Sequence, residues 1–157
     1  MRRRDLVLGV VAAVAVVLGV ATQVVAQGGG GGNKAFFAVM TGAKEVKAGE
    51  SAGDTNGRGS FSATLDGRTL CYGIQVKNIE NPVAAHIHPG GPTARGPVAI
   101  PLKQPAKGDP GASAQCVRLS RSSANALNAN PGNFYVNVHT AALPNGAVRG
   151  QLFARTR

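Results

Sequence analysis

Along residues 35–154, apolar and polar residues alternate in short runs, and glycine, proline or asparagine cuts off each run. A period of two puts alternate side chains on opposite faces of an extended chain. The pattern therefore predicts strands over 35–40, 59–66, 70–78, 84–88, 97–102, 114–119, 133–140 and 147–154. Asp66-Gly67 and Asn145-Gly146 carry the residue types of tight hairpin turns. One short helix fits between strands. Ser120 can cap it, Ala124, Ala126 and Leu127 share a face, and Asn130-Pro131-Gly132 stops it. The fold class expected is all-β: an immunoglobulin-like β-sandwich or a small Greek-key barrel of about eight strands with one short helix.

Alternation also assigns faces. Phe61, Leu65, Tyr72, Ile74, Val76, Ile87, Phe134, Val136, Val138 and Leu152 point inward and form the expected core. Cys71 and Cys116 fall on the opposite, outward faces.

The amino terminus follows a different rule. Met1-Arg2-Arg3-Arg4 precedes an apolar stretch over 6–21, and Val24-Val25-Ala26 ends in a small residue. This is the layout of a secretory signal peptide over 1–26, cut before Gln27. Retained uncut, residues 6–25 would be long enough to anchor the chain in a bilayer. A glycine-rich linker follows over 27–33, leaving one domain over 34–157. Export implies a secreted or periplasmic, extracytoplasmic location. In an oxidising compartment the two cysteines read as a Cys71–Cys116 disulfide. Closing such a loop contributes roughly 4 kcal/mol in the chain-entropy model.

The formal net charge is +10. A basic surface attracts nucleic acid, anionic lipid or acidic polysaccharide. The cations are scattered, however, and no tryptophan, two tyrosines and five phenylalanines offer little to stack on bases. The expected partner is a protein or an anionic surface polymer and not nucleic acid. A membrane enters only if the leader is retained.

Chemistry concentrates in two stretches that hold all three histidines. The first is Ala85-His86-Ile87-His88-Pro89-Gly90. The second is Phe134-Tyr135-Val136-Asn137-Val138-His139-Thr140, followed by Arg149-Gly150-Gln151-Leu152. His86 and His88 share one strand face, opposite Ile87. His139 shares a face with Tyr135 and Asn137, opposite Val136 and Val138. Two roles fit. Each imidazole could hold a loop carbonyl separately, or the three could converge on copper or zinc, for which imidazole is a common ligand. A metal site of that kind would weaken below about pH 6.5, where imidazole protonates. Arg149, opposite Val148, can offer its fork to carbonyls or a carboxylate. Tyr135, Asn137 and Arg149 read as structural members of the motif. No catalytic residue is indicated. The sequence lacks a nucleophile elbow and a phosphate-binding loop, and no paired carboxylates flank the histidines.

These residues resemble the CHRD domain, named after chordin. The resemblance runs from about Ala35 to Leu152. It rests on Ala85–His88 with Gly96-Pro97-Val98, on Phe134–Thr140, and on Pro144–Leu152. Met40-Thr41-Gly42-Ala43-Lys44-Glu45-Val46 is similar to the family's opening motif, with Lys47 and Ala48 where the family has prolines. The resemblance implies an extracytoplasmic immunoglobulin-like β-fold whose bacterial members mostly lack an assigned activity. Chordin's own partners do not carry over. The histidine pair on one strand is also similar to copper/zinc superoxide dismutase, but three histidines leave that enzyme's remaining ligands without counterparts. The functional expectation is a non-enzymatic extracytoplasmic binding or structural module. The alternative is an exported copper- or zinc-binding protein.

Overall fold

The computed structural model describes residues 33–47, 50–51 and 53–155. The leader over 1–26 and nearly all of the linker lie outside the described residues. The strands are β1 (Lys34–Thr41), β2 (Val46–Lys47), β3 (Glu50–Ser51), β4 (Arg58–Asp66), β5 (Thr69–Lys77), β6 (Pro82–Pro89), β7 (Ile100–Leu102), β8 (Gly111–Arg118), β9 (Phe134–Thr140), β10 (Val148–Gln151) and β11 (Phe153–Ala154). The helix α1 (Arg121–Ala129) lies between β8 and β9.

One antiparallel sheet runs in the order β7-β6-β9-β10-β1-β4-β5-β8, with β11 beside β1. Its two ends meet through side chains. The Lys103 N–H, just past β7, donates to the Tyr72 hydroxyl at 2.6 Å. Ser113 on β8 donates to the Lys103 carbonyl at 2.7 Å. The sheet is thus a nearly closed barrel, the second of the two all-β architectures expected.

The core faces follow the alternation. Phe61, Tyr72, Ile74, Val76, Ile87, Val136, Val138 and Leu152 are all buried. Gly67 turns β4 into β5 at φ +54°, a conformation that costs glycine nothing. Cys71 and Cys116 sit directly opposite each other on β5 and β8, outside the barrel, and are bonded. Ser120 Oγ caps α1 by accepting the Ser123 N–H at 3.0 Å, as expected. Ala124 and Leu127 enter the core, while Ala126 is exposed, because the helix presents only a narrow stripe to the barrel.

Three differences from the alternation have local causes. The run over 97–102 pairs only at Ile100–Leu102, since Pro97 has no N–H to offer a ladder. The run over 147–154 is split between β10 and β11, because the Leu152 N–H leaves β1 and donates to the Phe134 carbonyl at 2.9 Å. The short β2–β3 hairpin has too few residues to show a period.

Strand β9 departs most from a simple two-faced strand. All seven of its residues are buried. Val136 and Val138 face the core, yet Tyr135, Asn137 and His139 on the other face are only 3, 2 and 9 % exposed. Loops cover that outer face, and the histidines lie beneath them.

Candidate metal centre

The register of β6 and β9 brings the two histidine motifs together. His86 pairs with Asn137 and His88 with Tyr135, while His139 lies diagonally from His86, opposite Ala84. Directly opposite and diagonal residues on one face are within side-chain reach. The rings of His86 and His139 are 5.0 Å apart, those of His86 and His88 5.4 Å, and those of His88 and His139 6.4 Å. One nitrogen from each ring lies within 4.8 Å of the others.

The hydrogen bonds decide which nitrogens are free. His139 Nδ1 donates to the Pro144 carbonyl at 2.9 Å. His88 Nδ1 donates to the Gly96 carbonyl at 3.0 Å. A carbonyl only accepts, so each neutral ring keeps its proton on Nδ1 and a lone pair on Nε2. His88 Nε2 is buried and has no partner among the described residues. His139 Nε2 lies 3.1 Å from His86 Nδ1 and 3.0 Å from Asn137 Oδ1. The two roles considered from sequence are therefore divided between the two nitrogens of one ring. Nδ1 holds a loop, and Nε2 turns toward the other imidazoles.

Two loops form the roof, and a set of buried side chains holds them. Tyr135 stacks on His88 with ring centroids 4.9 Å apart and an interplanar angle of 6°. Its hydroxyl accepts the Gly96 N–H at 3.2 Å. The Arg149 guanidinium carbon lies 3.4 Å from the Tyr135 ring centroid, a cation–π contact. Arg149 Nη2 donates to the carbonyls of Gly91 at 2.8 Å and Ala94 at 2.9 Å. Arg95 joins the two loops by donating to Asn145 Oδ1 at 3.0 Å. The chain of support runs from Arg149 and Tyr135, through residues 90–96, to the Gly96 carbonyl that orients His88.

Glu45 is the residue that sequence reasoning missed. It is 6 % exposed, and burial raises its carboxyl pKa to about 7, against the opposing pull of Arg149 and of a hydrogen bond from Asn137. Gly146 makes room for it. A Cβ there, at φ +133°, would fall 2.1 Å from Glu45 Oε1. The similarity of residues 40–46 to a family motif was the available signal, but it named no partner.

Burial also acts on the imidazoles. It lowers the His86 pKa to about 4, helped by the neighbouring charges of His139 and His88. It lowers that of His139 as well, although the Pro144 carbonyl pulls the other way. Both rings favour the neutral form that a metal needs.

The donor set fits a transition-metal ion. Imidazole bonds of about 2 Å put neighbouring ligand nitrogens about 3.3 Å apart in a tetrahedral site. The His86–His139 spacing of 3.1 Å is close to that already. Carbonyl bonds to the far nitrogen are the usual outer support of ligating histidines. No acid–base pair or nucleophile flanks the three rings among the contacts described. Cys71 and Cys116 are bonded to each other on β5 and β8.

Comparison with curated proteins and with solved structures gives no match. The CHRD domain model matches residues 36–152, from the first barrel strand to the break at Leu152, and the chain belongs to the CHRD domain family.

Proposed function

We propose that this CHRD domain is an exported binding module without catalytic activity, and that its ligand is a transition-metal ion held by His86, His88 and His139. One observation carries the reading. The Nδ1 atoms of His88 and His139 are committed to backbone carbonyls, which leaves unprotonated Nε2 atoms near His86, and His88 Nε2 is buried and unpartnered. Leaving a buried acceptor unpaired costs about 1–3 kcal/mol, a cost that metal ligation would remove. Copper(II) is favoured over zinc at equal availability, following the general affinity order for nitrogen ligands.

Copper(II) titrated into the dialysed, untagged protein should bind at one equivalent. Losing an outer-shell partner typically costs 10–100-fold in metal affinity. Removing a ligand outright, by His86→Ala, His88→Ala or His139→Ala, should therefore cost at least about 100-fold. Three variants that each lower stability and leave copper affinity unchanged would show separate structural roles and no shared site.

The pKa shifts revise the pH dependence expected from ordinary imidazoles. Burial holds His86 neutral down to about pH 4 and lowers the His139 pKa as well. Between pH 5 and 6.5 His86 then has no proton to lose, so binding should displace at most two protons per ion and affinity should fall at most about a hundredfold per pH unit. A steeper fall in titrations across that range contradicts the shifts.

Export is supported by the leader-like residues 1–26 and by the disulfide, which suits an oxidising compartment. Intact mass of the exported protein should correspond to a chain starting at Gln27 with Cys71 and Cys116 bonded. A precursor-length mass, or two thiols open to alkylation in the oxidised protein, overturns this part of the reading.

A further inference from the structure

We propose that Asn137 supplies the fourth ligand, through Oδ1, and so closes the three-histidine site; this rests on the metal-binding reading above. Asn137 is directly opposite His86 in the ladder and two residues from His139 on the same face of β9. It is 2 % exposed. Its Oδ1 lies 3.0 Å from His139 Nε2. Asn137 also acts on Glu45, whose carboxyl pKa it lowers. With Oδ1 turned to His139, the amide nitrogen is the group left to face that carboxyl.

The result is a pairing that hydrogen bonding alone leaves incomplete. His139 Nδ1 carries its proton to Pro144, so Nε2 is an acceptor. Asn137 Oδ1 is an acceptor too, and the two face each other at hydrogen-bond distance. His86 Nδ1–H can satisfy one of them, and His88 Nε2 stays without a partner in either case. A single cation placed among these lone pairs satisfies all of them together.

Three imidazole nitrogens and one amide oxygen make a four-coordinate set that zinc or copper(II) accepts. Glu45 and Arg149 supply the charges around that amide, since both Asn137 and Arg149 act on the Glu45 carboxyl. With zinc, which is tetrahedral in such sites, four protein ligands leave no position for a substrate. Closed sites of this kind are structural or storage sites, whereas catalytic ones keep a position open. The three histidines and Asn137 would then form a site that holds its ion.

Zinc chloride and cobalt chloride titrated into the parent and into Asn137→Leu test the assignment. Leucine keeps the size and removes the oxygen. Zinc affinity should fall at least about 100-fold, beyond the 10–100-fold typical of an outer-shell partner, and the visible cobalt spectrum should change in shape as an oxygen ligand is lost. Equal affinity and an unchanged cobalt spectrum overturn the role of Asn137 while leaving the three-histidine reading intact. A parent that binds neither ion overturns both. If Asn137→Leu does not fold, Asn137→Asp carries the test. It keeps the oxygen and adds a charge, so zinc should bind at least as tightly as to the parent, and weaker binding overturns the assignment.

Discussion

Val136→Asp should leave no folded domain at room temperature. Val136 is fully buried at the centre of β9, between Ile87 on β6 and Gly150 on β10. Its side chain points into the barrel and belongs to the buried hydrophobic cluster that also holds Ile87, Leu127 and Val138. A carboxylate there has no donor, and burying an unpaired charge costs many kcal/mol. A domain of this size has about 5–15 kcal/mol of stability to lose. The expected result is a circular dichroism melt with no cooperative transition. Val39→Asp is the control, because Val39 is 59 % exposed on β1 and should melt like the parent. A normal melt for Val136→Asp would mean that the barrel interior has been placed on the wrong face of β9.

Arg149→Met should be the most damaging change outside the apolar core. The methionine keeps most of the stem and removes the guanidinium. Arg149 is 2 % exposed, stacks on Tyr135, and bonds the carbonyls of Gly91 and Ala94. Breaking a buried charged network from one side typically costs about 3–5 kcal/mol. The cost should depend on pH. The Glu45 carboxyl has a folded-state pKa of about 7 against 4.5 for an ordinary glutamate. The folded protein therefore holds more protons than the unfolded chain between those values, and stability falls as pH rises through 7. Without Arg149 the charged carboxylate loses the cation that acts on it most strongly, so the penalty should be larger at pH 8 than at pH 5.5. Urea unfolding of the metal-free protein at both values measures this. The same loss at both pH values would mean that Glu45 and Arg149 act independently.

The barrel was legible because alternation is a local signal. Phe61-Ser62-Ala63-Thr64-Leu65 can bury one face only one way, and His86-Ile87-His88 must put its imidazoles opposite Ile87. The disulfide was legible for a different reason: two cysteines on outward faces have one pairing to make. What covers the outer face of β9 was not legible. Residues 90–96 and 141–147 have no period, and their path is set by Arg149, Tyr135 and single carbonyl bonds that no spacing encodes. Glu45 was invisible in the same way. It precedes His86 by a long stretch of chain and reaches the site because the end of β1 pairs with β10 at Thr41 and Arg149. Convergence of the histidines needed the β6–β9 register, and sequence alone offered the strands without saying which were neighbours.

The seam between β7 and β8 governs how these molecules behave toward one another when crowded. A sheet that does not fully close has two edges, each a template on which another chain can add a strand. At the β7 edge the template is three residues long with Pro101 at its middle, which cannot donate to a ladder. At the β8 edge, Ser113 ties down the segment leaving β7, and the Cys71–Cys116 bond fastens the strand to β5. Strand addition is thus interrupted at one edge by a residue that lacks a donor, while at the other the covalent bond keeps β8 in place and so keeps the β5 edge beneath it covered. The second safeguard lasts only as long as the surroundings stay oxidising. Resistance to aggregation in this barrel is tied to the redox state of the compartment that holds it.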